Sequence, residues 1–459
     1  MKKKDQTYSE DHLDSTIRRY ENSLLIGKDE YFDVDDIEAL IDHYMEEDKQ
    51  DTAMDIARLG LSIHPGNTDV KVMQARLFLD CGKVEEAEML SELLKSVEPN
   101  NPDVILLEGE VFLSKGMSDE AKKLFLKAIS EDESYNYNVA YAYFANANYN
   151  EAIPYFEKEI KKDPTGDMDM VADTAFCYQQ TEQTEKAIAL YEKELDIDPY
   201  MKDAWFNLGQ LYFAQENFDK SAESFDYAHI VGDDEQALLQ KGNAFFQGNK
   251  LQCAIDAYKE YAATGDEAKK IALVFIGECY EKMSDIEKAK EYYEEAIADD
   301  ETNIGALSGL CICCLEQNEY EKSIKYADLA IALDPSIAEN WMYKAEGALN
   351  LNLLDIALSC YKKANELAPS FAEPLFAIGN IYIDIGNYEK ALDYYNKGSM
   401  IDKTVDKISL YYAITYFKKG NHVLAHDYLI AAILKDSETK DIFFDICPEA
   451  KEIDLFKNL

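Results

Sequence analysis

Two short clusters in the sequence hold residue types that can bind a metal ion or act as nucleophiles. Cys311, Cys313 and Cys314 place three thiols within four residues, and His422 and His426 are four residues apart, a spacing that lets two imidazoles share one helix face. A zinc site needs further ligands beside the thiols, and a zinc protease needs a Glu beside the first His, and the neighbouring sequence supplies neither. The histidines are therefore expected to be a surface pair, and the cysteines also allow a structural role, which depends on the elements that position them.

The composition predicts a folded, all-α chain. Of 459 residues, 47% are hydrophobic, and there are only 20 Gly and 10 Pro, so residues that break helices are few. No stretch approaches the roughly 20 apolar residues of a membrane helix, and the N-terminal lysines are followed by no apolar segment. The nine cysteines form no disulfide framework and fit reduced thiols. These features predict a cytoplasmic protein without membrane insertion.

The charge limits the partners. The formal net charge is −44, and the four arginines all lie near the N-terminus, at Arg18, Arg19, Arg58 and Arg76. Such a surface repels nucleic acid and anionic lipid, and most of the chain lacks the side chain best suited to phosphate. The sequence therefore predicts neutral or basic partners and no nucleic-acid binding, while solubility alone is the simpler explanation of the charge.

A small residue recurs along the chain at a near-constant interval. The intervals are 34, 34, 31, 35, 34, 33, 35, 34, 34, 34 and 34 residues, and every member is Ala or Ser. We call this the second-helix small position, and it is occupied by Ala53, Ala87, Ala121, Ala152, Ala187, Ser221, Ala254, Ala289, Ser323, Ala357, Ala391 and Ala425. Twelve occurrences at one period predict twelve copies of one structural unit.

Other positions recur in step with it. Twelve residues upstream lies a second small residue, the first-helix small position, as at Gly109, Gly209 and Gly379. An aromatic residue follows three residues after that, and another follows four residues after the second-helix small position, as at Tyr212 and Phe225. Small residues let two helices approach closely while aromatic rings fill the space beside them.

This pattern resembles the tetratricopeptide repeat, whose consensus W-x2-L-G-x2-Y…A-x3-F…P spans 34 residues. The stretch DAWFNLGQLYFAQENFDKSAESFDYA at 203–228 matches it closely, and the resemblance covers about nine tenths of the chain. It implies a right-handed α-α superhelix of about twelve helix-turn-helix repeats over 34–439, with capping helices at 1–33 and 440–459. The N-terminal part resembles soluble multi-repeat proteins of Bacteroidetes bacteria.

The repeat register gives each unusual residue a structural interpretation. Cys311 and Cys314 fall on the small and aromatic packing positions of the ninth repeat, and Trp205 and Trp341 on the family's Trp position. Seven residues after the second-helix small position, a late position that is usually small holds Glu159, Glu194 and Tyr261. Their long side chains are expected to extend to solvent, and the alternative is looser packing of those repeats. The one interval of 31 residues predicts a tight junction and altered superhelical geometry.

The resemblance also implies that the first helices line a concave groove in which ligands lie. In repeats four to seven the groove-facing residues are aromatic or amide side chains, almost without charge apart from Asp173. The candidate binding residues are Tyr137, Asn138, Tyr141, Phe144, Phe176, Phe206, Asn207, Gln210, Phe213, Gln240, Asn243 and Phe246. Amides can bind any peptide backbone and rings give contact area at low entropic cost, which predicts an extended peptide or a partner's helix as ligand. The alternative is a narrow groove that packs on itself.

Some members of the family clamp a carboxylate tail with Lys and Arg side chains in this groove. The matching positions here hold Glu38, Val72, Leu106, Tyr137 and Phe206, so such a tail is not the expected ligand. No catalytic domain has room outside the repeats. The predicted function is therefore a non-catalytic interaction scaffold without cofactor or metal, and the alternatives are a self-associating structural solenoid or an enzyme that uses the Cys311–Cys314 cluster.

Overall fold

The computed structural model describes residues 10–26, 30–47, 49–162, 168–402, 408–457 and 459. These residues form 26 α-helices and two short 3-10 helices, with no β-strand among them, which confirms the all-α fold class. Residues 1–9 and 27–29 of the predicted N-terminal cap lie outside this description. The boundaries predicted at 33 and 439, and the handedness of the superhelix, stay predictions.

The chain divides into two compact units, Met1–Gln215 and Glu216–Leu459. Unit 1 contains one leading helix and then alternating first and second helices of the repeats. Its helices are α1 (Glu10–Ile26), α2 (Val34–Glu46), α3 (Gln50–Ile63), α4 (Thr68–Asp80), α5 (Val84–Val97), α6 (Pro102–Ser114), α7 (Ser118–Glu131), α8 (Tyr135–Ala145), α9 (Tyr149–Lys162), α10 (Met168–Gln180), α11 (Thr184–Ile197) and α12 (Lys202–Ala214).

Unit 2 continues the alternation and ends in two 3-10 helices, Pro448–Glu452 and Asp454–Phe456. Its helices are α13 (Phe218–Gly232), α14 (Glu235–Gln247), α15 (Leu251–Ala262), α16 (Asp266–Lys282), α17 (Ile286–Asp299), α18 (Ile304–Glu316), α19 (Tyr320–Leu333), α20 (Ala338–Asn350), α21 (Leu354–Leu367), α22 (Glu373–Asp384), α23 (Tyr388–Ile401), α24 (Ile408–Lys418), α25 (His422–Lys435) and α26 (Thr439–Ile446).

The small positions hold the helices together. All twelve residues at the second-helix small position, from Ala53 to Ala425, have 0% of their surface exposed. Within each unit, consecutive helices pack against each other, and first helices also contact first helices of neighbouring repeats, as α4 does α6 and α18 does α20. The first helices therefore form an inner layer, and residues on that layer can line a common groove.

Glycines on two first helices admit one tyrosine ring from a second helix. Gly277 occupies the first-helix small position of repeat eight, and Gly309 lies two residues before Cys311, which occupies that position in repeat nine. A Cβ atom on Gly277 would lie 2.5 Å from Cε1 of Tyr293, and one on Gly309 would lie 2.3 Å from its Cζ. Tyr293 is 1% exposed, so its ring is held between the first helices of two successive repeats. Any larger side chain at either glycine would have to displace a buried ring.

Local signals end one helix of a repeat and begin the next. Gly386 in the turn between α22 and α23 has a φ of 75°, which glycine adopts at no steric cost. The next residue, Asn387, caps α23 by accepting a hydrogen bond from the backbone N–H of Lys390. Gly-Asn pairs of the sequence thus make the turns inside repeats, as their composition indicates.

The interval of 31 residues is shortened in two places. Helix α8 has 11 residues where α6 has 13, and three residues join α7 to α8 where four join α5 to α6. The predicted tight junction is therefore present, and the shorter helix belongs to the part of the chain that carries the candidate site.

The expectation for the late position was wrong. Glu159, Glu194 and Tyr261 are 3%, 0% and 9% exposed, so none of them extends to solvent. The Glu159 carboxylate lies 2.7 Å from Nζ of Lys162, and that of Glu194 lies 3.3 Å from Nζ of Lys193. In both pairs a partly exposed lysine lies beside one carboxylate oxygen, which offsets part of the cost of burying the charge.

Candidate functional site

Helix α8 presents two different faces. Val139, Ala140 and Tyr143 are buried against the second helices, because their spacing places them on the packing side. Tyr137, Tyr141 and Phe144 follow one another at intervals of four and three residues and are half-buried. That spacing lines up the three rings on one side of the helix.

The rings on α8 continue into α10. Ring centroids are 4.8 Å apart for Tyr137 and Tyr141, 6.3 Å for Tyr141 and Phe144, and 5.9 Å for Phe144 and Phe176. These are distances at which tilted and edge-on aromatic pairs attract. Phe176 is 40% exposed, so the series ends in a ring that solvent reaches.

Three adjoining cavities of about 340, 680 and 340 Å³ run along the inner layer of unit 1. The first lies between α2 and α4, the second is lined from α4 to α10, and the third from the end of α8 to α12. Arg76 and Asp80 line both the first and second cavities, and Phe144 and Asp173 line both the second and third. We call this series the unit 1 groove.

One position of the repeat supplies a wall residue in every repeat along this groove. It is the residue directly after the first-helix small position, which we call the groove position. In unit 1 its occupants are Asp42, Arg76, Glu110, Tyr141, Phe176 and Gln210, and each lines one of the three cavities. The sequence prediction identified the last three and missed the first three, although the same register defines all six.

The predicted amides fall into two kinds. Gln210 is exposed and lines the third cavity, whereas Asn138 is 7% exposed. Asn207 is hydrogen-bonded to the Tyr191 hydroxyl, and burial, the larger effect, raises the pKa of Tyr191 to about 12. Asn207 therefore serves a buried tyrosine as well as lining the third cavity, so Gln210 is the amide best placed for a ligand.

Three of the twelve predicted residues belong to unit 2. Asn243 accepts a hydrogen bond from the Tyr258 hydroxyl at 2.9 Å and donates to Gln240 at 3.2 Å. Nζ of Lys282 lies 4.6 Å from the ring centroid of Phe246. The three side chains therefore contact neighbours within unit 2. The other nine predicted residues belong to unit 1 and make up the candidate surface. Of these nine, Phe206 and Phe213 are half-buried on α12.

A charged cluster stands beside the aromatic wall. Nε of Arg76 lies 3.0 and 3.2 Å from the two carboxylate oxygens of Glu110, while Nη2 of Arg76 is buried and has no hydrogen-bond partner. Burial and the neighbouring Glu110 raise the pKa of Asp80. A rare arginine at the groove position was the signal in the sequence that could have revealed this cluster.

The two clusters that could do chemistry have structural surroundings. Cys311, Cys313 and Cys314 are fully buried, and burial raises the pKa of Cys311 and Cys313 to about 12, so these thiols stay protonated. His422 and His426 were expected at the surface but are half-buried. The ring centroid of His422 lies 5.0 Å from that of Phe417, and the ring centroid of His426 lies 5.7 Å from that of Phe456. Within the described residues, no three His, Cys, Asp or Glu side chains converge on a metal site.

Family models described as tetratricopeptide repeat match residues 106–167, 178–235, 280–341 and 372–404. Among curated proteins, the chain is similar to "Protein CTR9 homolog" of Arabidopsis thaliana, with 24% identity over 135 residues, which is 29% of this chain and 12% of that protein. The chain thus aligns with only a small part of that relative. None of the helices described is long and apolar enough to cross a membrane.

Solved structures are similar over parts of the chain. A tetratricopeptide repeat protein from Parabacteroides merdae is 14% identical with a TM-score of 0.42, over 56% of this chain and 98% of that one. YrrB, described as a TPR protein with an unusual peptide-binding site, is 22% identical with a TM-score of 0.34, over 41% of this chain and 96% of that one.

Proposed function

Since the chain is built of tetratricopeptide repeats, we propose that it is a non-catalytic adaptor of the bacterial cytoplasm that binds a peptide segment of a partner protein in the unit 1 groove. The observation that carries the proposal is the series of rings from Tyr137 to Phe176 along cavities that neighbouring helices leave open. Aromatic rings held by packing lose little entropy when they bind, and Gln210 adds a side chain that can pair with a peptide backbone.

The groove favours an extended segment over a compact ligand. Its three cavities adjoin along six successive first helices. The lining changes from charged groups on α4 and α6 to rings on α8, and α10 carries both a ring and the carboxylates of Asp169 and Asp173. An extended chain can place successive side chains against such different surroundings. The net charge of −44 favours a neutral or basic partner.

Peptide binding can be tested with the immobilised full chain and a displayed library of random peptides. Selected peptides should bind the wild-type chain, and Phe176→Ala should weaken them about 10-fold or more, as expected when an interface ring is removed. Tyr200→Ala is the matched control, because Tyr200 is 78% exposed and lies outside the groove. Unchanged affinity in a folded double variant, Tyr141→Ala with Phe176→Ala, would rule out this surface.

A second candidate function is self-association. Met89, Leu93 and Val97 recur every four residues on α5 and are 65%, 54% and 68% exposed, which gives an apolar stripe on the outer side of a helix. Light scattering separates the two functions. A monomer at high concentration excludes self-association, whereas a concentration-dependent oligomer that Leu93→Glu disrupts would support it.

A further inference from the structure

The middle cavity of the unit 1 groove is lined by two unlike kinds of side chain. The rings of Tyr137, Tyr141 and Phe144 come from α8, and the charged groups come from the first helices before and after it, which supply Arg76, Asp80, Glu110, Asp169 and Asp173. Four carboxylates and a single guanidinium therefore surround one space of about 680 Å³. A ligand in this space meets aromatic rings and mostly negative charge.

Among the described residues that line this cavity, Arg76 is the only cation, and it is already paired. Glu110 accepts from Nε of Arg76 with both carboxylate oxygens, at 3.2 and 3.0 Å, and is itself 9% exposed. This pairing leaves Asp80 and Asp169 on the cavity wall without an ion pair in the described part of the chain. Burial of Asp80 disfavours its charge, so a cation brought beside it would gain more than one beside an exposed carboxylate.

Resting on the proposed peptide binding, we propose that this cavity is a subsite for a Lys or Arg side chain of the bound segment. The cationic group lies among the carboxylates that line the cavity, and the aliphatic part lies along the Tyr137 and Tyr141 rings. Rings attract a cation through their faces, so the aromatic and the acidic side chains favour the same positive group. The ligand is thus a protein segment with a basic residue followed or preceded by apolar ones, and an acidic segment is excluded.

Sequences of the peptides selected from the random library give the first test. Peptides that bind the groove should be enriched in Lys or Arg, and replacing that residue by Gln should weaken binding about 10-fold or more. Enrichment of neutral or acidic peptides, with binding that still depends on Phe176, would overturn the subsite and leave the peptide groove intact. Failure to select any peptide that depends on Phe176 would overturn both.

Variants of the chain give the second test. Asp80→Asn and Asp169→Asn keep the shape of each side chain, and each should weaken a basic peptide about 5- to 10-fold while leaving its Gln counterpart unchanged. Asp169 is exposed, so the second variant keeps the test valid should Asp80→Asn lose the fold. Asp196→Asn, an exposed change on α11, removes the same charge from unit 1 outside the groove and should have no effect. Equal loss in all three variants would show general attraction to an acidic surface and would overturn the subsite.

Discussion

The two units use the same packing positions but differ at the groove position. In unit 1 the groove position holds Asp42, Arg76, Glu110, Tyr141, Phe176 and Gln210, whereas in unit 2 it holds Asn243, Glu278, Ile312, Glu346, Asn380 and Ile414. The second-helix small position is fully buried in both. A packing position admits only side chains that fit between helices, whereas the groove position admits charged, amide, aliphatic and aromatic side chains, so it is the position that can vary between repeats.

The late position differs as well. In the last five repeats, all in unit 2, it holds buried small residues, which are Ala296, Ala330, Ala364, Gly398 and Ala432. In repeats four and five of unit 1 it holds the buried Glu159 and Glu194. Unit 2 is thus the more regular of the two, and the irregular repeats of unit 1 are those that carry the aromatic groove.

The largest expected contrast is in thiol reactivity within unit 2, between three buried cysteines and one exposed cysteine. Iodoacetamide should alkylate Cys253, which is exposed, at least about 100-fold faster than Cys311, Cys313 and Cys314, which are buried and protonated. Mass spectrometry of the native chain measures the rates, and the same reaction in denaturant is the control. Comparable native rates would mean that the ninth repeat does not bury its first helix.

Because unit 2 packs regularly, its stability should be sensitive to replacing a glycine that admits a ring. Gly309→Ala should lower the free energy of unfolding by about 2–3 kcal/mol, because its Cβ would lie 2.3 Å from a ring held on both sides. The helix propensity that Ala gains over Gly, about 1 kcal/mol, is smaller. Urea unfolding followed by circular dichroism measures the change. Gly66→Ala in unit 1 meets no atom within 4 Å and should change stability little, so equal effects of the two variants would contradict the clash.

Because unit 1 packs less regularly, a substitution there should be able to increase its stability. Glu194 is 0% exposed, and its Oε2 atom is buried without a hydrogen-bond partner. Glu194→Met should therefore raise the free energy of unfolding by about 1–2 kcal/mol, since an apolar group of similar length avoids the desolvation of the carboxylate. Glu185→Met, an exposed change on the same helix, should be near neutral. Destabilisation by Glu194→Met would instead show that unit 1 depends on the buried charge.

The smallest expected effect concerns the carboxylates of unit 2. Burial raises the pKa of Glu281, and Glu316 adds repulsion, although a hydrogen bond from Tyr293 opposes the shift. Because the pKa of Glu281 is higher in the folded state, its protonated side chain stabilises the fold below the unfolded pKa of 4.5. This stabilisation is lost as the pH rises and the carboxyl group ionises. Glu281→Gln should raise the melting temperature by about 1–2 °C near pH 7, with the gain vanishing near pH 4.

Differential scanning calorimetry across that pH range gives the measurement, with the exposed Glu291→Gln as control. The Gln oxygen can still accept the hydrogen bond that Tyr293 donates at 3.1 Å, so the variant removes charge and keeps the contact. A gain independent of pH would mean that ionisation of Glu281 is not the cause.

Most of the fold could be predicted because packing acts through the repeat register. Ala53 and Ala425 are far apart in sequence, yet the same period predicts that both are small and buried. Glu194 could not be predicted in this way, because the burial of a long side chain depends on which neighbour reaches it. The division after Gln215 was equally hidden, since it falls inside the sixth predicted repeat, where the sequence pattern is unbroken.

The candidate site was predicted in part for the same reason. Tyr141 and Phe176 follow from the register and from composition, which favours neutral rings in repeats four to seven. Arg76 and Asp80 could not be predicted in this way. They belong to repeat two but line the same cavity as the rings of repeat four, and the composition of one repeat does not indicate which other repeats share its cavity.

The ring of Tyr293 also limits how the length of this chain can change. Because the ring belongs to one repeat and one of its two glycines to the next, this packing element is a junction between two repeats rather than part of one. Among the twelve repeats only repeat nine has glycine at the register position of Gly309, and in repeat ten that position holds Tyr343. Deleting repeat nine would therefore bring a bulky side chain against the ring of Tyr293, so viable relatives of different length should gain or lose repeats elsewhere and keep repeats eight and nine adjacent.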